Sequence, residues 1–260
     1  MAFFKKVACF TDIHFGLKGN SRVHNDDCEE FVKWFISQAK AEGCETCIFL
    51  GDWHHHRSAT NVSTMNYTVS NMERLGAAFE KVYVIMGNHD LYYRDKREIN
   101  SMEYIRNIPN IHIVNEWLVE DDVAIIPWVV QDEWKKIEKM KQKYVFGHFE
   151  LPYFKMNAMV EMPDVGGIQT DHFAGCGKVF SGHFTATCEM VRLYSANIRH
   201  FYHGVHLEVR QFEVSKHIFL FHFFDLLPFV LHNPRNDGDI ILNQPFVHYV
   251  YVWNVPDVFH

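Results

Sequence analysis

The 260-residue sequence has no uninterrupted apolar run of membrane-spanning length: its most apolar stretch, Ile218 to Leu231, is broken by His222 and Asp225. No membrane span is expected. Cysteine is sparse. The six thiols, Cys9, Cys28, Cys44, Cys47, Cys176 and Cys188, form no dense framework of the kind that staples small secreted domains. The N-terminus shows no charged segment followed by a signal-type apolar stretch, so a reducing, cytoplasmic setting is the expectation. Cys44 and Cys47 have the spacing of a zinc pair, but no second pair answers them, and core packing is their expected role. Positive charge is in deficit. The 25 Lys+Arg against 32 Asp+Glu give a net charge of −7, which excludes a globally basic nucleic-acid wrapper but leaves room for a local basic strip.

What is present fits an ordinary folded chain, 48% hydrophobic and 22% charged, long enough for one large core. Lys6 to Phe10 reads as a buried strand that delivers Thr11, Asp12 and His14 to a glycine-bearing loop. A helix capped by Asn25 or Asp26 follows, with apolar residues at three- and four-residue steps until Gly43. Thr46 to Leu50 is a second buried strand and runs into Gly51-Asp52-Trp53-His54-His55-His56-Arg57. Val62 to Phe79 reads as a helix, and Lys81 to Met86 as a third strand ending in Gly87-Asn88-His89-Asp90. This alternation predicts an α/β fold with a largely parallel core sheet whose ligands gather at the C-terminal strand ends. Tyr92 to Arg106 reads as a solvated amphipathic helix. Ile111 to Val114 and Val123 to Ile126 read as strands that begin a second sheet, and Gln131 to Lys143 as a charged helix with a Trp134, Ile137 and Met140 stripe. Two further strands lead into Gly147-His148 and Gly182-His183. Met156 to Gly167 between them is turn-rich and reads as a surface loop near the site.

The polar clusters at these strand ends, Asp12-x-His14, Gly51-Asp52, Gly87-Asn88-His89-Asp90, Gly147-His148 and Gly182-His183, resemble in type and order the binuclear metallophosphoesterases of the calcineurin-like superfamily. The resemblance implies two packed sheets flanked by helices, a four-layer αββα arrangement. It also implies two divalent metal ions, Mn2+ foremost, with Mg2+, Fe2+ or Zn2+ as other occupants. Asp12 and His14 would join Asp52 at the first metal, and Asn88, His148 and His183 would join it at the second. His89 would be the catalytic histidine at the leaving oxygen. The metals would activate a water for in-line attack at phosphorus, with no covalent enzyme intermediate. Within the superfamily, the Asp12 to Gly16 and Gly51 to Arg57 segments look most like the nuclease subunits of double-strand-break repair complexes and of phage recombination. That likeness implies a DNA exonuclease or endonuclease, with His55 assisting near the scissile phosphate and a coiled-coil ATPase subunit as partner. A homodimer is also allowed. His54 and His56, alternating with His55, read as solvent-facing.

One position departs from the pattern. The family's last motif carries a second histidine where this chain has Thr185, a poor ligand for a transition metal. The first metal set is therefore expected to be weak, or to be completed by another histidine such as His200, His203 or His206. Composition shifts at the same point, with 10 histidines in the first 184 residues and 8 in the last 76. Residues 1–184 are thus expected to be the phosphoesterase domain, and 185–260 either a divergent C-terminal region or the product of a reading-frame slip near Thr185. Two other functions stay open: a phosphatase or nucleotide phosphohydrolase of the same superfamily, and a catalytically impaired DNA-end-binding or assembly subunit.

Overall fold

Alternation along β1 (Lys6–Phe10) sets the layering, because Val7 and Cys9 enter one core while Ala8 and Phe10 enter another. The computed structural model describes residues 4–153 and 162–183 and the strand segments 219–221 and 250–254. After β1 come a single turn α1 (Leu17–Asn20), helix α2 (Arg22–Ala41), β2 (Thr46–Phe49), helix α3 (Val62–Ala78) and β3 (Lys81–Ile85). Four strands follow, β4 (Ile111–Val114), β5 (Leu118–Glu120), β6 (Val123–Ile126) and β7 (Tyr144–His148), with the short helix α4 (Trp134–Ile137) between the last two. The remaining strands are β8 (Lys178–Gly182), β9 (Phe219–Phe221) and β10 (Val250–Asn254).

These strands form two sheets, ordered β4-β3-β2-β1-β10-β9 and β5-β6-β7-β8. β1 to β4 pair in parallel and so do β6 to β8, whereas β10 runs antiparallel to β1. One core lies between the first sheet and α2 and α3, where Phe10, Phe35, Phe49 and Trp53 interlock. A second core, including Val7, Ile48, Ile85, Ile125 and Phe146, joins the two sheets. The third covers the outer face of the second sheet with Ile137 of α4 and Phe173 of a 3-10 turn. The order is therefore helices, sheet, sheet, helices, as expected.

Several local expectations are corrected. Helix α2 begins at Arg22 with Ser21 as its cap. Asn25 is instead buried inside the helix, where its Oδ1 accepts from the Gly16 N–H at 2.8 Å and pins the loop after β1. The stretch from Tyr92 to Arg106 is mostly turns with a 3-10 segment at Glu103–Ile105, and Arg97 within it is buried rather than solvated. β4 joins the first sheet, and the second begins with β5, a strand the sequence reading passed over. Gln131 to Lys143 yields a 3-10 turn at Gln131–Glu133 and the four-residue α4 rather than a long helix. Cys9, Cys28, Cys44, Cys47 and Cys176 are buried free thiols. Thr185, His200, His203, His206 and Met156 to Glu161 of the expected surface loop lie outside the described residues.

Candidate metal centre

Five parallel-strand ends converge on one point. β1 releases Asp12 and His14, β2 releases Asp52, β3 releases Asn88 and His89, β7 ends in His148 and β8 is followed by His183. Backbone hydrogen bonds knit the first two loops together, from Asp12 N to Gly51 O (3.0 Å), His14 N to Asp52 O (3.1 Å) and Phe15 N to Trp53 O (2.8 Å). Asp12, His14, Asp52 and His183 all have positive φ, at 55°, 49°, 62° and 89°. Such backbone costs on the order of 1–3 kcal/mol per residue and collects at functional sites. The surrounding fold enforces it here.

The side chains meet lone pair to lone pair. His148 Nδ1 donates to Leu50 O at 2.7 Å, so its Nε2 carries the lone pair when the ring is neutral. That nitrogen faces Asn88 Oδ1 at 3.1 Å and Asp52 Oδ2 at 3.4 Å, and His183 Nδ1 lies 2.9 Å from the same Asn88 oxygen. Asp52 Oδ2 also faces His14 Nε2 at 3.8 Å, which in turn lies 3.8 Å from Asp12 Oδ1. The Asp52 carboxylate thus stands between the two histidine groups, its other oxygen held by the His89 N–H at 2.8 Å. Asp12 Oδ1 and both ring nitrogens of His14 are buried without a hydrogen-bond partner. Donor atoms of Asp12, His14 and Asp52, and separately of Asp52, His148 and His183, lie within 4.8 Å of one another. Orphaned, converging lone pairs of this kind fit divalent cations, and the mix of carboxylate, imidazole and amide suits first-row metals.

Titration behaviour follows from the same geometry. Burial alone would lower His148, but the charge and hydrogen bond of Asp52 outweigh it and raise it to about 9. Burial lowers His14 to about 4 and His183 to about 3, which keeps both imidazoles neutral and able to ligate at pH 7. Burial raises the Asp12 carboxyl to about 6, the His148 charge opposing it.

Glycine is required where backbone touches ligand. A Cβ on Gly87 would sit 2.2 Å from Asp52 Oδ1, and one on Gly182 would sit 2.2 Å from Thr11 Oγ1 and 2.7 Å from His148 Nδ1. Beside these candidate donors, His89 Nδ1 donates to His55 O at 2.7 Å, and the two rings stack at 5.4 Å. His55 is half-buried and His56 exposed. His54 corrects the solvent-facing expectation: it is buried, bonded to Ser101 Oγ at 2.8 Å and Thr68 Oγ1 at 2.9 Å.

Two contributors escaped the sequence reading. Asp90, the last residue of Gly87-Asn88-His89-Asp90, is fully buried and accepts four backbone N–H bonds, from Asp52, Trp53, His54 and Gly87 at 2.8–3.1 Å. Burial and Asp52 push its carboxyl up while those donors pull it down. The only sequence signal was its place in the motif. Trp128 packs its ring 5.2 Å from that of His183 and carries Arg94 over its own face at 5.6 Å. Arg94 also pairs with Glu150 at 2.6 Å, a cation at the rim of the site.

The fold and this donor set belong to a phosphoesterase, and the comparison with known families agrees. The family description "Calcineurin-like phosphoesterase" matches residues 5–183, and the chain is a member of that family. It is 26% identical over 204 residues to exonuclease subunit 1 of Enterobacteria phage T4, a match that covers 75% of this chain and 58% of that one. The chain thus spans little more than half the length of that curated relative. Solved structures with likeness include the nuclease MPE of Pseudomonas putida, at 21% identity and TM-score 0.34 over 60% of this chain and 67% of that chain. The phosphopantetheinyl hydrolase of Mycobacterium tuberculosis matches at 14% identity and TM-score 0.37 over 74% of this chain and 88% of that chain.

Proposed function

We propose that the chain is a metal-dependent phosphodiesterase that cleaves DNA, the nuclease subunit of a larger assembly. The observation that carries this reading is the shared Asp52 carboxylate between two groups of lone-pair donors, with the His89 and His55 imidazoles beside it. Asp12, His14 and Asp52 would hold the first divalent ion, and Asp52, Asn88, His148 and His183 the second. Bound there, the ions supply charge neutralisation for the phosphate and acidify a water near neutral pH.

The protein's own groups do the rest. The hydrogen bond from Nδ1 of His89 to the His55 carbonyl fixes that ring's tautomer, so Nε2 is the nitrogen left to hold or deliver a proton at the leaving oxygen. His55 stacks on His89 and would assist near the same phosphate. His148 is held by the Leu50 carbonyl, and the His183 backbone N–H donates to Asp12 Oδ2 at 3.0 Å, which preorganises the site before substrate arrives. DNA as substrate is supported by the relative's name, exonuclease subunit 1, and by the motif likeness to repair and recombination nucleases. The word "subunit" in that name supports a partner, and the motif likeness makes it a coiled-coil ATPase.

Hydrolysis of linear DNA, a generic phosphodiester and a generic phosphomonoester, each with Mn2+, tests the reading. DNA and diester are expected to be cleaved and the monoester spared. Preference for the monoester would assign the chain to the phosphatases, and absence of all turnover would make it a binding subunit.

A further inference from the structure

His14 belongs to two donor groups at once. On one side it meets Asp12 and Asp52, and on the other it meets only imidazole. Donor nitrogens of His14, His55 and His89 lie within 4.8 Å of one another. Their rings form a nearly equilateral triangle, with centroids 5.0 Å apart for His14 and His89, 5.4 Å for His55 and His89, and 5.5 Å for His14 and His55. Both His14 nitrogens and His55 Nδ1 are buried with no hydrogen-bond partner, and the His14 side chain is only 9% exposed. His89 gives its Nδ1 proton to the His55 carbonyl and so keeps a lone pair on Nε2.

We propose that His14, His55 and His89 form a third, all-imidazole cation position that takes Zn2+ in preference to Mn2+ or Mg2+. Three neutral nitrogens and a water make a tetrahedral zinc site, whereas manganese and magnesium favour carboxylate oxygen. Zinc–nitrogen bonds of about 2.0–2.1 Å require the nitrogens to draw in slightly from their present spacing, a side-chain adjustment. Because His14 is shared, zinc here competes with an ion on Asp12 and Asp52. It also withdraws His55 and His89 from substrate. The binding rests on these residues alone, and its inhibitory consequence rests on the phosphodiesterase reading.

Zinc content after dialysis against Zn2+ tests the site on the full chain. Because His14 is shared, loss of the third position in the wild-type background lets an ion return to Asp12 and Asp52, so the count is read with Asp52 removed; His56→Ala, the exposed neighbour, is expected to match wild type. Asp52→Ala, which loses the carboxylate-bridged pair, is expected to retain one zinc that Asp52→Ala/His55→Ala loses, with circular dichroism confirming native folding. Cobalt substitution of the wild type is a second measurement independent of Asp52. Four-coordinate visible bands should be present there and in His56→Ala, and lost in His55→Ala. Equal zinc content in Asp52→Ala and Asp52→Ala/His55→Ala, or cobalt bands unchanged by His55→Ala in the wild type, would overturn the proposal. Zinc counts decide the third position and DNA cleavage decides the function, so either can fail without the other.

Discussion

At the scale of single residues, the site is a set of side chains whose backbone has been forced to suit them. Asp12, His14, Asp52 and His183 adopt left-handed φ that L-residues avoid, and each sits at the end of a parallel strand where the turn must be abrupt. Most of these residues were legible in the sequence, because a glycine or a buried strand end flagged each one. His54 was not, since nothing in three consecutive histidines says which ring turns inward to Thr68 and Ser101. His89 stands outside both donor groups that share Asp52 and meets that carboxylate only through its backbone N–H, at 2.8 Å. Replacing His89 with Asn is therefore expected to leave Mn2+ content unchanged and to slow DNA cleavage by roughly 10²- to 10⁴-fold, the usual reach of a proton-transfer residue. Parallel metal analysis and rate measurement check this, and lost metal with the lost rate would move His89 into the ligand set.

Among the elements, the loops after β2 and β3 act as one piece because Asp90 holds both. Its two oxygens collect N–H groups from Gly87 on its own loop and from Asp52, Trp53 and His54 on the other. Removing the carboxylate strands several buried donors, each worth about 1–3 kcal/mol when unpaired. Asp90→Ala is expected to cost at least about 3 kcal/mol in denaturant unfolding and to weaken Mn2+ binding, because Asp52 loses its backbone anchor. A variant with wild-type stability would show that the loops are held otherwise. This coupling could not be read from the sequence, where Asp90 is one more carboxylate in a polar cluster. The segment from Tyr92 to Arg106 misled for a related reason. Its charge periodicity imitates a helix face, but Arg97 is drawn inward by carbonyls 18 and 31 residues away.

Across the whole molecule, the two sheets are joined by their shared core and fastened at one end by Arg97. Its guanidinium donates to Asn115 O beyond β4 and to Trp128 O beyond β6, both at 2.9 Å, and pairs with both oxygens of Glu133. Burial opposes ionisation of Glu133, but Arg97 and Lys136 outweigh it and hold the carboxyl at about 2, below its ordinary 4.5. A depressed acid stabilises the fold above its unfolded pKa and loses that contribution as pH falls through the folded value. The stabilisation is thus expected to be full above about pH 5 and to fade toward pH 2. Glu133→Gln should flatten stability over that window, as read from denaturant midpoints against pH, and an unchanged slope would contradict the assignment. The layering itself was legible, since strand alternation and order dictate it. The antiparallel addition of β10 and β9 beside β1 was not, as no period in that region announces a strand.

The central claim is that Asp52 is shared by two cation sites of unequal strength, four donors at one and three at the other among the described residues. Calorimetric titration of the metal-free protein with Mn2+ tests it most directly. Two ions are expected to bind in distinct tight and weak steps in the wild type, with both steps abolished in Asp52→Ala. A single step in the wild type, or retention of either step without Asp52, would contradict it.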